Sequence, residues 1–309
     1  MNLGEILLKK RPTLGESSIK TYTSVLKSLH KKVFGKDTEI KTDNFNKQEN
    51  ILQSLKDKSP TTRKTILSAL VVLTDNDKYR QEMLKDIKEH QEKMDNQQMS
   101  EKQLQNGVSQ DDITKKLKEL KKPAMLSLNK KQNLTKADYM NIQNYVLLLL
   151  MSGQGGLPPR RSLDYTAFKL DDVKDKDNFM EGKFFVFNTF KTAKSAGTQK
   201  IQVPLRTRNL INKWKAVNPT SYLFFDTKLK PMTSVKMTQR LNKIFGKNAS
   251  VNALRSSYLS DKFQDSIKIK KDIDSTMKKM NKFLAVFNDF FVCICSFITP
   301  LSQVIYLTY

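Results

Sequence analysis

The sequence predicts a mainly α-helical fold with one small antiparallel β-sheet, of the α+β class. Apolar residues recur at three- and four-residue spacing through most of the chain, the period of helices with one buried face. The helix candidates carry their own punctuation, with Ser59-Pro60 and Thr135 at starts and Gly35 at a stop. Two short runs have strand composition, Phe184-Phe185-Val186-Phe187 and Ile201-Gln202-Val203-Pro204, and a turn at Ser195-Ala196-Gly197 between them makes a hairpin.

The first helix is expected after a cap at Ser17 or Ser18, with Ile19, Tyr22, Val25, Leu26, Leu29 and Val33 on one face. Lys20, Lys27, Lys31 and Lys32 lie mostly around its edges. Pro60 at a first helical position opens a second, striped by Ile66, Leu67, Leu70, Val71 and Leu73. Arg63 and Lys64 stand in its first turns, where positive charge opposes the helix dipole and a phosphate would relieve it. Residues 75–122 read as a long helix and a shorter one with thin apolar faces, broken at Asn106-Gly107. Lys121-Lys122-Pro123 begins a linker expected over 123–133.

Tyr139, Ile142, Val146, Leu149 and Leu150 then predict a deeply buried helix that ends in a turn rich in Gly and Pro, Gly153 to Pro159. A helix is expected to start near Arg160 and run through Tyr165. Leu205–Trp214, Val235–Phe245 and Asn252–Phe263 read as helices, and Leu223-Phe224-Phe225 as a short strand. The organisation is an N-terminal helical region (1–122), the linker, a second domain (134–291) and an apolar tail (292–309).

Charge narrows the partners. Lys and Arg number 55 against 31 Asp and Glu, a net +24, and a polyanion is the economical counterpart to that self-repulsion. His30 and His90 are the sole histidines, which removes zinc chemistry and a histidine base from the second half. Cys293 and Cys295, in C-x-C spacing with no other ligand nearby, make a poor metal site. Met1 to Glu5 lacks the pattern of a signal peptide, so an intracellular protein is expected.

Three basic segments carry the chemistry: Pro158-Pro159-Arg160-Arg161-Ser162-Leu163-Asp164-Tyr165, Phe190-Lys191-Thr192-Ala193-Lys194 and Asn252-Ala253-Leu254-Arg255-Ser256-Ser257. Each adjoins an apolar stretch that can hold it in place. Arginine is suited to the non-bridging oxygens of a phosphodiester because its rigid fork never deprotonates. Arg161 follows a stiff Pro-Pro turn, Arg255 is anchored by its neighbour Leu254, and Lys191 sits on a hairpin. A lysine there can reach a groove of DNA and donate a proton to a leaving oxygen.

That order of contexts resembles the tyrosine recombinase, or phage-integrase-like, family. The likeness covers about residues 134–291, and more loosely 17–75 as a helical DNA-clamping domain. It implies a mostly helical catalytic domain with a small sheet, no cofactor and no metal, double-stranded DNA as partner, and a homo-tetramer on DNA. The family's first arginine precedes an acidic residue by three positions, which fits Arg161 and Asp164, with Arg160 as the alternative. Its hairpin lysine fits Lys191, or Lys194. Its His-x-x-Arg box reads Asn252-Ala253-Leu254-Arg255 here, so the arginine is kept and the histidine is replaced. The resemblance makes Lys20, Lys27, Lys31, Arg63 and Lys64 the DNA-contacting candidates of the first domain. The Pro-Pro-Arg-Arg…Asp-Tyr segment looks like integrase-type genes of large eukaryotic DNA viruses and related mobile elements.

The departures lie near the C-terminus. Lys282 falls where the family has a second His or Trp, and Phe291 where it has the tyrosine nucleophile. Phenylalanine cannot attack phosphorus. Tyr306 and Tyr309 are the tyrosines beyond it. The apolar run Phe290 to Ile298 is too short to span a bilayer, so no stable membrane association is expected. A buried or partner-docked tail and a frameshifted C-terminus both fit this break in texture. The readings that follow are a recombinase or integrase acting through a 3′-phosphotyrosyl intermediate, a non-catalytic DNA-binding relative, and a type IB topoisomerase.

Overall fold

A computed structural model describes residues 2–95, 101–130, 132–266, 268–269, 272–273 and 275–276. The chain divides into two compact units at Ser100/Glu101. The described residues are mainly helical, with one three-stranded antiparallel sheet.

The first unit contains α1 (Leu3–Lys10), α2 (Glu16–Phe34), α3 (Gln48–Ser54), α4 (Pro60–Thr74) and α5 (Asp77–Asp95). Leu3, Leu7, Leu26, Leu29, Ile51, Leu67 and Leu70 meet in its core. Helix α2 begins before the expected caps: Gly15 is its N-cap, and Ser17 and Ser18 lie inside its first turn. At α4 the expected cap holds, with the Ser59 hydroxyl accepting from the Thr62 amide and Pro60 in the first turn. Tyr79 is buried and donates to the Phe45 carbonyl (2.8 Å), and burial pushes its hydroxyl pKa up to about 12.

The second unit contains α6 (Glu101–Asn106), α7 (Gln110–Asn129), α8 (Lys136–Met151), α9 (Ser162–Tyr165), β1 (Phe179–Glu181), β2 (Phe184–Phe187), α10 (Ala193–Ala196), β3 (Gln199–Gln202), α11 (Leu205–Val217), α12 (Ser234–Phe245) and α13 (Val251–Lys262). Helix α7 runs through Pro123 to Asn129, so most of the segment expected as a linker is helix. Its thin stripe continues past the proline, and Ala124 and Leu128 are buried in the same core as Ile113. Helix α8 is buried on most of its circumference, which is why its apolar residues run together. Thr135 caps it in a capping box with Asp138. Asp138 also accepts from Ser127 and Lys130, which tie the end of α7 to the start of α8.

The sheet has the order β1-β2-β3. Its registers include Met180 opposite Phe185, and Phe185 opposite Ile201. The hairpin of β2 and β3 is the expected one, but its connection contains the short helix α10 before Gly197 (φ 65°). The stretch around Leu223-Phe224-Phe225 forms no strand, with isolated bridges at Tyr222 and Phe225. Tyr165 and Phe168 pack edge-on or tilted against Phe185 and Phe187, with ring centroids 4.9 to 6.4 Å apart. That cluster fixes α9 to the sheet.

Candidate active site

The turn between α8 and α9 is built before any charge is placed on it. Gly153 adopts φ 80°, and the carbonyl of Gly155 accepts a buried bond from the Thr207 hydroxyl (2.7 Å). The ring of Tyr258, on α13, lies against the face of Gly153 where a Cβ would stand. Three residues before that tyrosine, Arg255 donates from Nε to the carbonyl of Pro159 (3.2 Å). Buried Leu254 holds this stretch of α13 in the core, as its position beside Arg255 suggested. The third basic segment thus meets the first across 96 residues of sequence.

The two adjacent arginines point to different work. Arg160 is mostly buried; its Nε donates to Asp164 Oδ2 (2.9 Å) and its Nη1 to Gln199 Oε1 (2.7 Å). Its guanidinium carbon stands 4.0 Å from the centre of the Phe187 ring and 5.1 Å from that of Phe190. Arg161 is the half-exposed N-cap of α9 and makes no ion pair among the described residues. Asp164, matched by spacing to Arg161, is instead bonded to Arg160, four positions before it, which has the geometry to reach back along the turn.

Asp164 is 2 % exposed, and its Oδ1 is buried with no hydrogen-bond partner among the described residues. Burial pushes its carboxyl pKa up, and the charges of Arg160, Arg161 and Arg255 oppose that shift. One buried carboxylate lies within the fields of all three guanidinium groups. Arg160 pairs with it directly, and Arg161 stands beside it at a half-exposed surface.

The second basic segment joins through its base. Phe190, under Arg160, is followed by Lys191 in an exposed loop that also carries Lys194. Asn252 is exposed in the first turn of α13, three residues before Arg255 and so on a neighbouring face. Lys282, Phe291, Tyr306 and Tyr309 lie outside the described residues, as do both cysteines.

In the first unit Lys20, Lys27 and Lys31 share one exposed stripe of α2. Lys20 pairs with Glu16 in an exposed contact that a phosphate can replace at little cost. Arg63 does not fit the DNA-contacting role expected of it. Its guanidinium is turned to α5, 2.9 Å from Glu82 and 3.3 Å from buried Asp86. Lys64 is half-buried. Charge at the start of α4 is thus balanced within the protein at Arg63.

No family model matches the chain, and no curated protein matches it. Solved structures do. Lambda integrase (residues 75–356) bound to DNA is 11 % identical with a TM-score of 0.46, covering 86 % of this chain and 89 % of that one. XerA recombinase is 14 % identical with a TM-score of 0.34, covering 86 % and 85 %. XerH site-specific recombinase, in a pre-cleavage complex with its difH substrate, is 17 % identical with a TM-score of 0.42, covering 81 % and 70 %. These are similarities of chain path; what the site can do follows from this chain's own residues.

Proposed function

We propose that this protein is a DNA-binding member of the tyrosine recombinase class whose second unit holds a scissile phosphate between Arg161 and Arg255. The observation that carries the reading is the meeting of sequence-remote basic segments at the turn before α9, around one neutralised carboxylate. Arg161 and Arg255 take the non-bridging oxygens, and the lysine loop stands beside them. Double-stranded DNA is the partner. The α2 stripe of Lys20, Lys27 and Lys31 supplies phosphate contacts that position the protein without reading sequence.

In the complete reaction a tyrosine oxygen attacks phosphorus and releases its proton to solvent. The new O–P bond forms as the bond to the 5′-oxygen breaks, leaving a 3′-phosphotyrosyl link. Lys191 Nζ gives the departing 5′-oxygen its proton. Asn252 supplies a hydrogen bond and no proton transfer. Tyr306 or Tyr309 is the nucleophile in this reading, because Phe291 has no hydroxyl. Recombination calls for a homo-tetramer holding two duplexes. On the resemblance of its Pro-Pro-Arg-Arg segment, the event served is integration of a viral or mobile-element genome, in a host nucleus or viral factory.

The test is incubation with nicked suicide duplexes, followed by a search for a covalent protein–DNA adduct. An adduct lost in Tyr306→Phe or Tyr309→Phe establishes strand cleavage. DNA binding without adduct identifies the non-catalytic relative, favoured by Phenylalanine at position 291. Relaxation of supercoiled plasmid by monomers identifies a topoisomerase. No binding near 50 mM salt, where phosphate contacts are strong, would refute the proposal at its root.

A further inference from the structure

A lysine that must deliver a proton to one oxygen is limited by its own side chain, which has four rotatable bonds. Precision has to come from the backbone that carries it. Lys191 stands in an exposed loop, and among the described residues its Nζ has no ion pair to hold it. Both ends of that loop, however, are fastened to the arginine turn.

Asn178 fastens the first end. It is 5 % exposed, just before β1, and its side chain makes four hydrogen bonds. Its Nδ2 donates to the carbonyls of Asp164 (2.8 Å) and Thr189 (2.7 Å). Its Oδ1 accepts from the amides of Asn188 (2.9 Å) and Thr189 (2.8 Å). One planar amide, with all its hydrogen-bonding capacity used, joins α9 to the chain two residues before Lys191. Arg160 fastens the other end through Gln199 and covers Phe190 with its guanidinium plane. Thr198 closes the loop base by donating to Asn188 Oδ1 (2.8 Å).

We infer that Asn178 and Arg160 are positioning residues, clasping the lysine loop to the arginine turn so that Lys191 is set relative to Arg161 and Arg255. The inference rests on the phosphate-site reading above. A loop needing only to be folded has no use for two buried side chains that each bond the α9 turn and the loop at once. Lysine does not reproduce this contact, since Arg160 bonds Asp164 through Nε and Gln199 through Nη1, two nitrogens of one rigid fork, and lysine has a single nitrogen.

The test uses the full chain and its Arg160→Met, Asn178→Asp and Gln199→Ala variants. Without DNA, tryptic cleavage after Lys191 and Lys194 should quicken about tenfold or more in the variants, with cleavage elsewhere unchanged. With a duplex present, mass-spectrometric acetylation footprinting should show Lys191 protected in the wild type and unprotected in the variants, while Lys27 and Lys31 stay protected in all. Variants that keep wild-type cleavage and protection overturn the clasp. If Arg160→Met or Asn178→Asp fails to fold, Gln199→Ala, which removes only a loop-side partner, decides by the same readings. A wild-type Lys191 that acetylates equally with and without DNA overturns the positioning role and the phosphate-site reading of the loop together. The tryptic arm, which involves no DNA, separates that failure from a failure of the clasp.

Discussion

Gly153→Ala is the sharpest probe of how α13 delivers Arg255. An added Cβ would lie 2.4 Å from Cδ2 and 2.6 Å from Cε2 of Tyr258, and 3.2 Å from Pro159 Cδ. Carbon atoms rest about 3.5–4.0 Å apart, so the ring has to retreat by about 1 Å or more. Overpacking of that kind costs about 1–3 kcal/mol. The left-handed backbone at φ 80° adds about 1–2 kcal/mol for any residue with a Cβ, giving about 2–5 kcal/mol in all. The two costs separate in a double-mutant cycle. With Tyr258→Ala as background the clash with the ring vanishes, leaving the backbone cost of about 1–2 kcal/mol and the tight contact with Pro159 Cδ. Trp214 is the single tryptophan and is buried in the second unit, so its fluorescence during urea unfolding reports that unit alone. Equal costs of Gly153→Ala in the two backgrounds would refute the packing of Tyr258 on this turn, and with it the docking that places Arg255.

The other predictions concern charge. Arg161→Ala should leave second-unit stability within about 0.5 kcal/mol while weakening DNA binding, because a half-exposed residue without an ion pair is lost. Arg160→Ala should cost about 3 kcal/mol or more, because buried Asp164 loses its partner; equal stability of the two variants would refute the division of labour. Arg63→Met should destabilise the first unit by about 1–3 kcal/mol without changing the salt dependence of DNA binding. Lys27→Ala and Lys31→Ala should each lower the slope of log K against log salt by about 1 with stability unchanged, and unaltered slopes would remove the α2 stripe from the interface. The hydrogen bonds from Lys130, Thr135 and Ser127 hold the Asp138 carboxyl well below the usual carboxylate range. Its stabilising effect is therefore present above the unfolded pKa of about 4 and lost as pH falls through the folded value. Asp138→Asn should lower stability at pH 7 and flatten the acid limb of the stability curve; an unchanged limb would refute the assignment.

The helices were legible because each needs only its own period and caps. Ser59-Pro60 and Thr135 announced real starts, and Leu254 announced a buried anchor beside Arg255. Ser17 and Ser18 misled, because α2 begins at Gly15 with no side-chain cap at all. Lys121-Lys122-Pro123 misled because tertiary packing of Ala124 and Leu128 outweighs one proline. The partners of Arg160 and Arg63 were out of reach for another reason. Both bond residues far along the chain, Gln199 and Glu82, and no local pattern distinguishes an arginine with a buried partner from one without. Asn178 gave no signal at all, since its value lies in four bonds to backbone atoms whose placement only the fold decides.

The doubled arginine then acquires a physical reason. Asp164 is buried, and a buried carboxylate must be met by a cation or give up its charge. With a single arginine at the turn, that residue would be consumed by Asp164. Arg160 takes the internal task, bonded to Asp164 and Gln199 and stacked on Phe187, and Arg161 keeps its charge for the surface. Under the proposed reading, Phe291 stands where a hydroxyl is wanted, so the adduct assay on Tyr306 and Tyr309 is the measurement that separates strand cleavage from binding alone.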